Sequence, residues 1–312
     1  MSVLITGAGL IGTHLAKRLA NQGKRVILYD LMPNREYIQR IVGEDGVGIV
    51  AADIRDLPAL IHALQSFNCD TVVHTAGLIG SRVAANSYTG STNNILGTIH
   101  VLEAARLLKL KRVVYVSTFG VYDRAKVKED HLREDAPIGG HNLYTVTKVC
   151  SEHLLHAYTE MYKLDSVIIR PAGVFGRGLY VGGSTVGIVM RNLVLKAARR
   201  EALEIDAKTY FANEYVYAKD VALALDLACH AQNLKQRIYN AGTGVVSSAE
   251  DLAQALRELV PQVEVKVVGQ LEGASRHSAL DLSKSQAELG YTPQFPLKKA
   301  LQDYMNELQT EI

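Results

Sequence analysis

Two residues four apart, Tyr144 and Lys148, open the chemical reading of this chain. On a helix that spacing puts both side chains on one face. An ammonium one turn away stabilises a phenolate and draws the phenol pKa down from about 10, which makes Tyr144 a usable general acid and base. The same ammonium can hold a ribose. Taken alone, Tyr-x-x-x-Lys recurs by chance and suits a solvated helix face equally well. Thr118 stands earlier, at the end of the apolar run Arg112-Val113-Val114-Tyr115-Val116, and can hydrogen-bond a reacting oxygen.

A second group lies at the start. Val3-Leu4-Ile5 runs into Gly7-Ala8-Gly9-Leu10-Ile11-Gly12, then into a helical pattern through Leu15, Leu19 and Ala20 that stops near Gly23. Gly7 permits the tight turn, Gly9 lets backbone approach a pyrophosphate, and Gly12 lets the helix pack on the strand. The N–H groups of the first helical turn, including Leu10 and Ile11, face that pyrophosphate. The next apolar run, Val26-Ile27-Leu28-Tyr29, ends in Asp30. A carboxylate there accepts from both ribose hydroxyls and repels a 2′-phosphate, so the expected cofactor is NAD rather than NADP. Arg35 is the nearest counter-charge.

The elements that position these residues alternate along the chain. Strands are expected at 48–51, 71–74, 112–116 and 166–169, and helices at 56–66, 90–108 and 143–163. This predicts a doubly wound α/β fold, a parallel sheet of Rossmann type with helices on both faces. Ligands of such sheets sit at the strand carboxyl ends, here Gly7, Asp30, Asp53, Ala76, Thr118 and Pro171. Further on come a helix at 186–200, a helix after Tyr215 reaching about 231, a strand at 238–242, a helix at 249–259 capped by Ser248 with Asp251 behind it, a strand at 263–268 and a short helix ending at Gly290. The expected division is a nucleotide-binding domain over 1–171, completed by segments around 213–242, and a smaller, non-contiguous substrate lobe over 172–312. The glycines at 173, 176, 178, 182, 183 and 187 suggest a mobile flap over the substrate.

These motifs together resemble the extended short-chain dehydrogenase/reductases of the NAD-dependent epimerase/dehydratase type. The resemblance runs through the glycine turn, Asp30, Asp53-Ile54-Arg55-Asp56, Val72-Val73-His74-Thr75-Ala76-Gly77, Asn94-Ile95-Leu96-Gly97-Thr98, Val116-Ser117-Thr118, Tyr144-x-x-x-Lys148 and Arg170-Pro171. It implies Tyr144 as acid/base, Lys148 as its activator and ribose ligand, and Thr118 as the catalytic hydroxyl. It also implies that Asp53 and Ile54 flank the adenine and that Ala76 and Gly77 line the cofactor groove. Pro171 falls at the nicotinamide end, and Asn94 supports the helix region beside the cofactor. The family usually spaces its glycines G-x-x-G-x-x-G, whereas this chain has G-x-G-x-x-G.

The resemblance implies hydride transfer at a secondary alcohol of a carbohydrate-like substrate, by an epimerase or a dehydrogenase. Nucleotide-sugar members carry an Asn where this chain has Gly173 and a phosphate-clamping Arg where it has Asn213. A small polyol, sugar acid or hydroxy acid is therefore the alternative, with Phe119, Arg177, Asn213 and Arg276 as candidate substrate contacts beside Thr118. Sugar 4,6-dehydratases follow the catalytic Thr with Asp-Glu; Phe119 and Gly120 stand there, which argues against 4,6-dehydration. A non-catalytic NAD-sensing module on the same fold is the alternative from another class.

Composition bounds the rest. The 312 residues are 48% hydrophobic and 21% charged, and 34 Lys+Arg against 32 Asp+Glu leave a net charge of +2. That gives no reason to expect nucleic acid or an anionic membrane as partner. No apolar run approaches the roughly 20 residues of a membrane span, and Met1–Gly7 has no signal-peptide pattern. Cys69, Cys150 and Cys229 fit no disulfide or zinc spacing and are expected to be buried thiols in a reducing compartment, the cytoplasm. No metal is expected: the ten histidines are scattered, and His74 reads as a packed, hydrogen-bonded side chain. The helices at 90–108 and 143–163 are expected to pair with a second copy in a homodimer, because Val149, Leu154, Leu155, Ala157 and Met161 exceed what the sheet needs for cover.

Overall fold

A computed structural model describes residues 1–43, 46–127, 129–179, 184–210, 212–269 and 278–309. Seven parallel strands form the central sheet. From one edge to the other they are Ile238–Ala241, Ser166–Pro171, Arg112–Val116, Thr71–His74, Ser2–Thr6, Arg25–Asp30 and Gly48–Ala51. The inner strands are continuous apolar runs, buried along their length, because helices cover both faces.

On one face, the helices Leu10–Asn21, Arg35–Val42 and Ala218–His230 bury Leu15, Leu19, Tyr37, Ile38, Val221 and Leu225. On the other, Leu57–Ser66, Gly97–Leu108 and Leu143–Tyr162 bury Leu60, Leu64, Val101, Leu102 and Leu155. A third core gathers Met190, Leu193, Val194, Leu252, Leu256, Leu301 and Tyr304 from the helices Thr185–Ala198, Ala249–Leu259 and Leu297–Leu308. Leu203–Asp206 pairs there with Val265–Val268, and Gly173–Phe175 pairs with Tyr215–Tyr217.

The central sheet agrees with the sequence expectation, and its last strand comes from 238–241, beyond the 172 boundary. Four expectations need correction. The helix expected over 90–108 starts at Ser87 and contains a π-helical turn, Thr92–Leu96, before Gly97–Leu108. The glycine-rich stretch is not one loop. Gly173 lies in a strand, Gly176 packs against Leu10 and Ala218, and Gly187 sits in the first turn of a helix capped by Ser184; Gly182 and Gly183 lie outside the described residues. Among the cysteines, Cys69 and Cys229 are buried but Cys150 is only partly so. Of the apolar positions expected on the surface of the helix Leu143–Tyr162, Leu155 is core, whereas Met161 is 70% exposed. Among the described residues, no helix is long and apolar enough to cross a membrane.

Candidate active site

The glycine turn is built as its residue types require. Gly7 holds φ +87°, and a Cβ there would press on Ala76 and Thr75 at 2.8 Å. A Cβ on Gly12 would overlap the Gly7 carbonyl oxygen, while one on Gly9 would meet nothing within 4 Å. Gly7 and Gly12 are thus fixed by packing, and Gly9 faces open space that backbone alone leaves available to a ligand. The helix Leu10–Asn21 has no side-chain cap and no acid in its first turn, so its leading N–H groups keep their anion-binding character. Asp30 closes the turn: one carboxylate oxygen accepts from Ala8 N at 2.8 Å, the other from Met32 N at 2.9 Å. These features fit a dinucleotide.

Beyond Asp30, Asp53 pairs with Arg55 at 2.6 Å, which holds its carboxyl below the ordinary range. Asp53, Arg55, Asp56, Tyr88, Thr92 and Leu96 line an open cleft where the adenine end was expected. Ile54 is buried against Gly97. Ala76 and Gly77 follow the strand Thr71–His74, next to Gly7 and within reach of Lys148. Pro171 ends its strand at the same side of the sheet.

Asn94 takes a supporting position. Its carboxamide accepts from Leu78 N at 2.8 Å and donates to Leu78 O at 2.9 Å and to Thr147 Oγ1 at 3.0 Å. It is 4% exposed. It fastens the π-helical turn to the loop after Gly77 and to the helix that carries Tyr144, a positioning role.

Thr118, Tyr144 and Lys148 converge. Thr118 caps the turn Phe119–Val121, accepting from Gly120 N at 3.1 Å, and its hydroxyl lies close enough to the Tyr144 phenol to favour the phenolate. Lys148 is buried under the strand end. Its Nζ donates to Val116 O at 2.7 Å and lies 4.6 Å from the Tyr115 ring centre and 6.0 Å from that of Tyr144. The expected lowering of the Tyr144 pKa is absent from the protein alone. Burial pushes the phenol up to about 12, opposed only by the Thr118 hydroxyl, and burial also pulls Lys148 down to about 8. The ammonium sits beside the ring, and desolvation of a phenolate outweighs it.

Sequence reading missed the support beneath. Glu152, one turn after Lys148, keeps that ammonium charged and forms a buried pair with Arg170 at 2.6 Å. Ser117 Oγ donates to the same carboxylate at 2.5 Å. The i, i+4 spacing of Lys148 and Glu152 was the available signal. His74 is packed as expected: Thr98 gives its hydroxyl proton to Asn94 O, so His74 Nε2 donates to Thr98 and Nδ1 accepts from Thr6 at 2.6 Å.

The candidate substrate residues fare less evenly. Phe119 borders Thr118. Asn213 is 2% exposed, its backbone paired with Ser247, so it is held under the surface. Arg177 is also buried, and its carbonyl accepts from His14 and Tyr37, which anchors its backbone against the helices Leu10–Asn21 and Arg35–Val42. Arg276 lies outside the described residues.

The family described as "NAD dependent epimerase/dehydratase" matches residues 3–242. A UDP-glucose 4-epimerase of Mycolicibacterium smegmatis is 31% identical over 311 residues, 96% of each chain. The solved UDP-glucose 4-epimerase of Thermus thermophilus, in complex with NAD, superposes with a TM-score of 0.83 at 26% identity over the whole of both chains. A GalE-like L-threonine dehydrogenase from Cupriavidus necator shares the fold, with a TM-score of 0.85 at 22% identity over 99% of this chain and all of that one.

Proposed function

The chain belongs to the NAD-dependent epimerase/dehydratase family, and we propose that Tyr144, Lys148 and Thr118 carry out its proton chemistry at a secondary alcohol. It is an NAD-dependent enzyme of the short-chain dehydrogenase/reductase superfamily that acts on a carbohydrate-like substrate. The observation that carries our reading is the meeting of the Thr118 and Tyr144 hydroxyls with the buried Lys148, at the strand ends beside the glycine turn.

In this reading, Gly7, Gly9, Leu10, Ile11 and Gly12 receive the pyrophosphate of NAD, and Asp30 the adenosine ribose. Asp53 and Ile54 flank the adenine, Ala76 and Gly77 line the groove, and Pro171 borders the nicotinamide. The bound cofactor supplies the hydride acceptor. Tyr144, protonated in the protein alone, gives its proton to a carbonyl oxygen and takes one back when an alcohol is oxidised. Thr118 orients that oxygen, and Lys148 supplies the positive charge that a transient phenolate needs. Turnover of Tyr144→Phe tests the assignment: retention of near-full activity overturns it.

The named relatives favour an epimerase of a nucleotide sugar. A second reading, net dehydrogenation of a small polyol, sugar acid or hydroxy acid, is favoured by Asn213, which is uncharged and buried where a phosphate clamp would need an exposed cation. Steady NADH formation separates dehydrogenase from epimerase. We further propose a homodimer through the helices Gly97–Leu108 and Leu143–Tyr162, which expose Leu107, Met161 and Tyr162, and a cytoplasmic location, which suits three free thiols.

A further inference from the structure

The segment after Thr118 folds back on itself. Thr118 caps the turn Phe119–Val121, and a second turn, Arg124–Lys126, follows at once. Between them Tyr122 is fully buried. Its hydroxyl donates to Asn240 at 2.7 Å and its ring lies under the Arg170 guanidinium at 4.8 Å. This anchor forces the chain to return, and it brings the Arg124 guanidinium over the Phe119 ring at 4.7 Å. A stacked guanidinium meets its partner through its flat face and directs its N–H fork in the plane, the geometry that matches a carboxylate.

Glu214 is the acid whose charge acts on Arg124. It is buried, and its carboxylate accepts from Thr243 N at 2.7 Å, Gly244 N at 2.8 Å and Leu280 N at 2.6 Å. Glu214 attracts Arg124, while burial pulls the Arg124 pKa down. The same buried charge repels a dianion more than a monoanion.

We propose that Arg124, seated on Phe119 beside Thr118, binds a carboxylate of the substrate and so selects a sugar acid or hydroxy acid. The inference rests on Thr118 and Tyr144 being the reacting site, because Phe119 is the residue directly after Thr118. It deepens the second reading above, with the anion contact supplied from the nucleotide domain.

The test is ligand binding to the NAD-loaded enzyme, read by thermal shift. The probes are matched pairs: aldonates and uronates of several sugars, their neutral alditols, and the corresponding sugar phosphates. Wild type is expected to be stabilised by at least one carboxylate and not by its neutral partner. Arg124→Met should weaken that carboxylate about 10- to 100-fold, the usual cost of a charge-assisted contact, with NAD affinity unchanged. Arg124→Lys should fall between, since a point charge lacks the fork. Carboxylate and neutral probes binding alike, a preference for phosphates, no protection by any acid, or Arg124→Met keeping the carboxylate preference would each overturn the proposal. If Arg124→Met also lowers NAD affinity, Arg124→Lys decides by whether its carboxylate-to-neutral ratio falls. Failure of the reacting-site reading shows separately, as turnover retained in Tyr144→Phe.

Discussion

At the scale of single residues, burial does more than spacing to set the chemistry. Tyr144 and Lys148 were legible from their four-residue separation, and Thr118 from its strand end. Their ionisation was not, because it depends on what covers them. Tyr144→Phe keeps the ring's packing and should lower turnover roughly 10²–10⁴-fold with little change in NAD affinity; single-turnover kinetics and NAD titration check both halves. Lys148→Met makes a less familiar prediction. Lys148 is held near 8 by burial, so at pH 7 the folded protein bears the cost of a charged, desolvated amine. Removing it should depress turnover and NAD affinity yet raise the melting temperature. The gain is about 1–2 kcal/mol once the lost bond to Val116 O is deducted from a shift worth about 3. A melting temperature below wild type would refute the burial argument. Asp30→Ala should narrow the preference for NAD over NADP, by weakening NAD more than NADP. It should also loosen the glycine turn, since the carboxylate accepts from Ala8 and Met32.

Among the elements, the parts fixed by apolar periodicity or by glycine mechanics were readable, and the parts fixed by side-chain ties were not. The π-helical turn at Thr92–Leu96 leaves no mark in hydrophobic spacing; it is held by the Asn94 carboxamide, whose partners Leu78 and Thr147 are distant in sequence. The helix Leu297–Leu308 was readable in principle from Leu297, Ala300, Leu301, Tyr304 and Leu308 after Pro296, although the sequence reading assigned it no element. The glycine turn gives a paired prediction. Gly9→Ala adds a methyl to open space, so folding should be unaffected and NAD should bind more weakly. Gly12→Ala sets a methyl against the Gly7 carbonyl, so the turn itself must shift and stability should drop by more than about 1 kcal/mol. Thermal melts with and without NAD separate the two. Equal melting temperatures for both variants without NAD would show that the turn tolerates the overlap.

At the scale of the whole molecule, two features reach beyond the site. The exposed Leu107, Met161 and Tyr162 on the helices beside the sheet should be covered in a dimer, and light scattering at micromolar concentration should give twice 34.1 kDa. A monomer would reduce them to scattered surface apolar groups. The second feature is acid sensitivity. His74 sits in the central sheet, its pKa driven down to about 3 by burial and by the nearby Lys148. His14, in the first helix, is driven to about 4 by burial and by Lys219 and Lys17, against the pull of Glu307. Both stay neutral in the folded protein at pH 5, whereas the unfolded chain protonates each near 6.5. The unfolded state therefore binds more protons in this range, and stability falls as pH drops below about 6.5. At pH 5 each histidine forfeits about 2 kcal/mol, or about 4 together. The buried Glu134, Glu214 and Asp220 have raised pKa values and work in the opposite sense, offsetting part of this loss. Urea unfolding at pH 7 and pH 5 should show this loss. His14→Gln and His74→Gln should each be less stable than wild type at pH 7, yet each should lose only about half as much on acidification. A stability that stays level from pH 7 to 5 would mean that the two rings accept protons in the folded state, and that the Thr6–His74–Thr98 chain opens to let one in.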